Sequence, residues 1–126
     1  MFPFRTNKGF TLLEVLVTLT ILSIGLLGVA GLTTGVLRGN FYAKNVTTAT
    51  VIAQTQIEDI QRTGYTNANT KAGTVEVTMG GARFSRNTVI TNGSPAANMK
   101  TVSVTVTWNE GTGGSRSVNL QTLLAQ

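Results

Sequence analysis

The sequence predicts an α+β fold in which a long N-terminal α-helix packs against a small C-terminal antiparallel β-sheet. Residues 10–37 are mostly apolar and contain Glu14 as their one ionisable side chain, residues 38–64 repeat apolar side chains every three or four positions, and residues 65–126 alternate threonine with valine between glycines. We therefore expect a basic leader of residues 1–9, a transmembrane helix of residues 10–37, an amphipathic helix of residues 38–64 and a β-sheet head of residues 65–126.

Composition limits the chemistry available to this chain. It has 126 residues, a net charge of +5, no cysteine and no histidine. Disulfides, thiolate zinc sites and catalysis by imidazole are therefore excluded within it. The cations are scattered, which is typical of a solvated surface. The sequence predicts no enzyme activity, no metal site and no cofactor.

The first apolar run is longer than the roughly 20 residues that cross a bilayer as a helix. Arg5 and Lys8 precede it, so the positive-inside tendency places the N-terminus in the cytoplasm and the rest of the chain outside. A secretory signal peptide is disfavoured because its apolar core is usually about 7–15 residues. A plain signal anchor would explain the length and the charges but not Glu14.

An acidic residue such as Glu14 raises the free energy of inserting a helix into a membrane, by about 2.5–3.5 kcal/mol at the helix centre and less near its edge. After Lys8 no cation follows until Arg38, so the carboxylate has no obvious partner in its own helix. Cleavage between Gly9 and Phe10 would create an α-amino group four residues before Glu14. That amine is a candidate partner for the carboxylate of a neighbouring copy.

The segment Gly9-Phe10-Thr11-Leu12-Leu13-Glu14 resembles the cleavage and methylation motif of type IV pilins and type II secretion pseudopilins. The resemblance implies a leader removed after Gly9, N-methylation of Phe10 and an assembly role for Glu14, the fifth residue of the mature chain. Residues 21–32 resemble minor pilins of the pilus-modification branch and related pseudopilins.

The resemblance implies a minor, priming or tip subunit of a type IV pilus or pseudopilus-like filament. Its implied partners are other pilin subunits, a prepilin peptidase and methyltransferase, an inner-membrane assembly platform and membrane lipid. The implied location is the inner membrane, then a periplasmic or extracellular filament. The chain lacks the helix proline and disulfide loop frequent in major pilins, and Glu110 is the only acid after Glu76, which disfavours a pseudopilin-type calcium site.

Five glycines punctuate the second half of the apolar run: Gly25, Gly28, Gly31, Gly35 and Gly39. Each costs up to about 1 kcal/mol relative to alanine in a helix interior. The last three are spaced four apart and form one small-residue face, which suits close helix–helix packing. A flexible helix in lipid explains them equally well. In either case we expect the helix to bend or locally unwind here when lipid is exchanged for neighbouring subunits.

The amphipathic segment presents an apolar face made of Val46, Ala49, Ala53, Ile57 and Ile60. This spacing predicts a helix with one solvated side, continuous with the apolar helix because no proline intervenes. Gly64 is predicted to end it.

Four strands are predicted in the head. Residues 75–79 alternate in polarity, Gly80-Gly81 suits a two-residue hairpin turn, and residues 83–91 form the return strand. Residues 101–108 alternate most regularly, with Trp108 continuing the apolar face as a core residue. A glycine-rich turn at 109–115 leads into the last strand.

A different function class is an anchored pilin-like module that binds DNA or a surface. Arg83, Arg86 and Lys100 are its candidate contacts. Nucleic-acid binding has weak support because no aromatic residues are interleaved with these three cations.

Overall fold

The structure is a computed structural model that describes residues 9–126, so the predicted leader charges Arg5 and Lys8 lie outside the described residues. It confirms the α+β class, with one long helix and a four-stranded antiparallel sheet. The elements are α1 (Leu12–Asn67), β1 (Gly73–Met79), β2 (Ala82–Asn92), β3 (Met99–Asn109) and β4 (Ser115–Ala125). Two compact units share α1: the N-terminal unit ends at Gly39, and the C-terminal unit is Asn40–Gln126.

The N-terminal unit is the first half of α1, and its side chains are exposed. Its helical hydroxyl groups bond to backbone carbonyls four residues earlier, as seen for Thr18, Thr20, Ser23, Thr33 and Thr34. These bonds satisfy polar groups that would otherwise be costly in hydrocarbon. By length and composition alone, α1 contains a stretch that is long and apolar enough to cross a membrane.

The second half of α1 carries the predicted amphipathic pattern. Its buried residues are Ala49, Ile52, Ala53, Gln56 and Ile60, while Val46 and Ile57 pack at the margin of the core. The sequence analysis placed three of the five buried residues and omitted Ile52 and Gln56.

Gly64 breaks the helix where the sequence predicted an end, because its φ of 82° lies in the left-handed region that favours glycine. The chain then resumes helical geometry through Asn67 and a 3₁₀ turn, Ala68–Lys71. Ala68 is fully buried, so packing on the core keeps this stretch wound. The first strand therefore begins only at Gly73.

The strand order is β1-β2-β3-β4, with every neighbouring pair antiparallel. The predicted turn at Gly80-Gly81 is confirmed, since Met79 pairs with Ala82 across it. Both glycines have positive φ, 61° and 83°, as a type I′ hairpin turn requires.

The core lies between one face of the sheet and the second half of α1. On β3 the residues Val102, Val104, Val106 and Trp108 are buried, as their alternation predicted. Trp108 is a core residue and lies 6.1 Å from Phe84 between ring centroids. Ala49 and Ala53 of α1 are fully buried and belong to the same core cluster as these residues.

The C-terminal unit has two ends, and we call the one where α1 enters it the proximal end. There the Lys44 Nζ donates a hydrogen bond to the Gly80 carbonyl oxygen at 3.2 Å. The Arg116 guanidinium carbon lies 5.8 Å from the centroid of the Tyr42 ring. The β1–β2 turn and the start of β4 therefore lie beside the first residues of α1 in this unit.

At the opposite, distal end the Lys71 Nζ lies 2.8 Å from an Asp59 carboxylate oxygen. The hydrogen bond from Lys71 lowers the pKa of Asp59 below its ordinary value. A carboxyl group whose pKa is lowered on folding stabilises the fold above its unfolded pKa and loses that contribution as the pH falls through the folded pKa. Because both side chains are substantially exposed, the contribution is small.

Candidate functional site

Phe10 and Glu14 lie together at the start of α1. Phe10 precedes the helix by two residues and is 84% exposed, and Glu14 is in the first helical turn. With three neighbours they line an open depression of about 270 Å³, completed by Val15, Thr18 and Leu19. The depression is largely apolar, and Glu14 supplies its only ionisable side chain.

Thr11 is the residue that starts the helix, and the sequence analysis missed this role. Its Oγ1 accepts a hydrogen bond from the Glu14 backbone N–H at 3.2 Å. A threonine followed three residues later by glutamate is the capping-box pattern, so the signal was present in the sequence. The Thr11 cap thus places Glu14 in the first turn of the helix.

The Glu14 carboxylate does not take part in the hydrogen bonds and ion pairs found within residues 9–126. The reciprocal half of the capping box, from the Glu14 side chain to the Thr11 N–H, is likewise missing from this part of the chain. Within residues 9–126 the carboxylate is thus exposed and makes no polar contact with another side chain.

The five glycines of the N-terminal unit all have room around them. A Cβ atom added at Gly25, Gly28, Gly31, Gly35 or Gly39 would meet nothing within 4 Å in the described chain. None of these residues departs from helical geometry in the single chain. The bend expected on assembly concerns contacts with neighbouring subunits, which one chain does not contain. Whether they pack against another helix or only loosen this one stays a prediction.

The three cations considered for nucleic-acid binding do not form one surface, and that expectation was wrong. Lys100 is only 6% exposed, and Arg86 lies on the same, core-facing side of the sheet as Phe84. Arg83 is exposed on the opposite side. Alternation along β2 separates Arg83 from Arg86, because three residues is an odd number of steps.

No group of three or more aspartate, glutamate, cysteine or histidine residues with metal-binding geometry occurs in the part of the chain that the structure describes. In the N-terminal unit, the candidate site is therefore the Phe10–Glu14 depression, because it contains the Glu14 carboxylate.

Comparison with curated proteins and with solved structures gave no significant match. The family comparison matched the prokaryotic N-terminal methylation motif over residues 4–30, which is less than a quarter of the chain. Such a motif marks substrates of prepilin peptidase that assemble with other pilin subunits. The chain thus carries a type IV pilin-like signal at its N-terminus, which supports kinship with pilins and pseudopilins in general.

Proposed function

We propose that this chain is a minor subunit, in a priming or tip position, of a type IV pilus or type II secretion pseudopilus-like filament. The observation that carries the proposal is the match to the methylation motif at the start of an apolar helix whose side chains are exposed. A helix with so much exposed apolar surface needs lipid or other helices around it.

In this proposal a prepilin peptidase removes residues 1–9, and the new Phe10 amine is methylated. The amine of one subunit then pairs with the Glu14 carboxylate of its neighbour. A charge-assisted contact in a low-dielectric helix bundle sets the axial register, because a missing partner there is costly.

Two absences in the sequence support a minor role. The apolar helix has no proline, and the chain has no cysteine for a C-terminal disulfide loop. A subunit that starts a filament or occupies its tip is present in few copies, so copy number tests this part of the proposal.

Before assembly the helix of residues 10–37 would span the inner membrane once, with its N-terminus in the cytoplasm. The C-terminal unit would then lie outside and enter a periplasmic or extracellular filament. Arg5 and Lys8 support this orientation through the positive-inside tendency. An inner-membrane assembly platform would extract the subunit from lipid.

Mass spectrometry of chains from membranes and from sheared filaments tests the proposal directly. We expect an N-terminus at Phe10 carrying one methyl group, and far fewer copies in the filament than of its main subunit. Gly9→Val should leave the leader attached, and Ala30→Val, which adds a valine side chain far from the cleavage site, is its control. An intact Met1 start in assembled material would overturn the processing step, and a copy number equal to the main subunit would overturn the minor role.

A further inference from the structure

The proximal end of the C-terminal unit exposes two adjacent aromatic side chains. Phe41 is 63% exposed and Tyr42 is 47% exposed. Exposing an aromatic ring to water is unfavourable, whereas aromatic side chains are favoured at the interface between lipid headgroups and hydrocarbon. Exposed aromatics at this position therefore need an explanation that the fold of the unit does not supply.

Two cations accompany these rings. Lys44 bonds to a backbone carbonyl oxygen, that of Gly80, and takes no part in the ion pairs found within residues 9–126. Arg116 approaches the Tyr42 ring, and its Nε lies 3.6 Å from a Glu110 carboxylate oxygen. The remaining nitrogens of the guanidinium are available to an external anion.

The distal end lacks this combination. Its cation Lys71 is in a close ion pair with Asp59. The nearby helix residues Glu58 and Arg62 carry opposite charges. The third distal cation, Lys100, is buried against the carbonyl oxygen and the ring of Tyr65 and is therefore not available to an external anion. Lys44 at the proximal end is exposed and contacts a carbonyl oxygen, so its charge can reach such an anion.

Chain length places the aromatic pair close to the apolar segment. Phe41 follows Leu37 by four residues, a separation that no backbone conformation can stretch beyond about 14 Å. The headgroup layer on each side of a bilayer is roughly 5–7 Å thick. If the apolar segment spans a membrane with Leu37 at the edge of the hydrocarbon, the aromatic pair lies within about 14 Å of that edge, in the headgroups or just beyond them.

We propose that Phe41, Tyr42, Lys44 and Arg116 dock the proximal end onto anionic phospholipid headgroups while the subunit is still in the membrane. The proposal rests on the proposed function in one respect, that residues 10–37 span a bilayer. The rings enter the interface, and the two cations contact lipid phosphate oxygens. Release of these contacts accompanies extraction of the subunit into a filament.

The single tryptophan of the chain is a built-in probe for this docking. The Trp108 Nε1 lies 3.4 Å from a Glu110 oxygen, and the same carboxylate group pairs with Arg116. Trp108 therefore reports on the proximal end.

The experiment uses the full chain in nanodiscs that carry a spin label on a trace of headgroups. Quenching of Trp108 fluorescence is compared between discs of phosphatidylcholine alone and discs containing phosphatidylglycerol. We expect about twofold stronger quenching in the anionic discs, falling to the neutral level at about 0.5 M salt, since contacts with anionic headgroups are electrostatic and screened.

The variant K44Q/R116Q should quench equally in the two kinds of disc, and Phe41→Gln should quench less in both. The matched control R62Q/K71Q removes the same charge at the distal end and should behave as the parent does. Equal quenching of the parent in both discs, or unchanged quenching in K44Q/R116Q, would overturn the docking and leave these side chains as subunit contacts.

Incorporation into discs is scored separately by co-elution after an alkaline wash. A chain that incorporates but shows no lipid-dependent quenching refutes only the docking. Failure to incorporate refutes the spanning helix, and the docking proposal fails with it.

Discussion

The Nζ of Lys100 lies 2.6 Å from the carbonyl oxygen of Tyr65 and 4.3 Å from the centroid of the Tyr65 ring. This contact joins the start of β3 to the residue that follows the Gly64 break in α1. The Lys100 ammonium group thus links the helix to the sheet. The Tyr65 carbonyl dipole and the Tyr65 ring both interact favourably with it.

We expect Lys100→Met to lower the free energy of unfolding of the C-terminal unit by about 1–3 kcal/mol, since the Tyr65 carbonyl would lose its charged donor. Trp108 fluorescence of the full chain in detergent micelles, followed through a urea titration, measures this. Arg62→Met is the matched control on the exposed side of the helix and should change the midpoint little. A midpoint unchanged by Lys100→Met would show that the contact adds no net stability.

The burial of a small side chain on the core face of α1 predicts a second effect. Ala53 is fully buried in the core. Ala53→Leu would add side-chain volume to a packed interior, so we expect it to destabilise the C-terminal unit by about 1–3 kcal/mol. Gln54→Leu makes an equally large apolar side chain at the adjacent exposed position, and there we expect a change within about 0.5 kcal/mol. Equal destabilisation in the two variants would contradict the packing.

The sequence predicted the sheet correctly where apolar and polar residues alternate regularly and where glycines mark the turns. The buried face of β3 and the Gly80-Gly81 turn both followed from local sequence. Lys100 was misjudged because lysine is seldom buried, although it shares the parity of Val102 and so belongs to the buried face of the strand. The helical stretch after Gly64 was missed because burial of Ala68 depends on the sheet, and no local pattern reveals it.

The candidate assembly residues were chosen from spacing at the N-terminus, and the structure explains part of that spacing. Thr11 caps the helix and so sets where Glu14 stands in its first turn. The pairing proposed for Glu14 involves a second copy of the chain, so a single subunit does not test it. Only measurements on assembled material do.

The open space around the glycines leads to a third prediction. A Cβ atom added at Gly35 meets nothing within 4 Å among residues 9–126, so Gly35→Leu should insert into membranes as well as the parent does. If the face of Gly31, Gly35 and Gly39 packs against a neighbouring helix, the leucine should reduce incorporation into filaments severely, because it prevents close approach. Quantitative immunoblotting of membrane and filament fractions compares the two.

The matched control is Ala30→Leu, which adds an apolar side chain away from this face of the same helix. It should assemble better than Gly35→Leu. Equal incorporation of the two variants would favour the alternative explanation, that the glycines only loosen the helix.

The last prediction concerns Glu14, whose carboxylate we propose pairs with a neighbouring Phe10 amine. Glu14→Leu should insert into the membrane at least as readily as the parent, since an ionised side chain is removed from an apolar helix. Cleavage after Gly9 should remain largely intact. Incorporation into filaments should fall at least tenfold, as expected when a charge pair in a low-dielectric contact loses one member at a cost of about 3–5 kcal/mol.

Glu14→Gln separates the charge of the side chain from its size and polarity. Glutamine is nearly isosteric with glutamate, and the Thr11 cap uses the backbone N–H of residue 14, so this variant keeps the cap while it removes the negative charge. If pairing with the amine drives assembly, the glutamine and leucine variants should fail alike, because neither supplies a charge. If Glu14→Gln enters filaments as the parent does, the charge is not needed for assembly and the pairing explanation is wrong. A third explanation is that the methylating enzyme recognises the Glu14 carboxylate, so that the variants accumulate as unmethylated subunits. Mass spectrometry of the N-terminus in the same strains tests this, because it measures cleavage and methylation separately from incorporation.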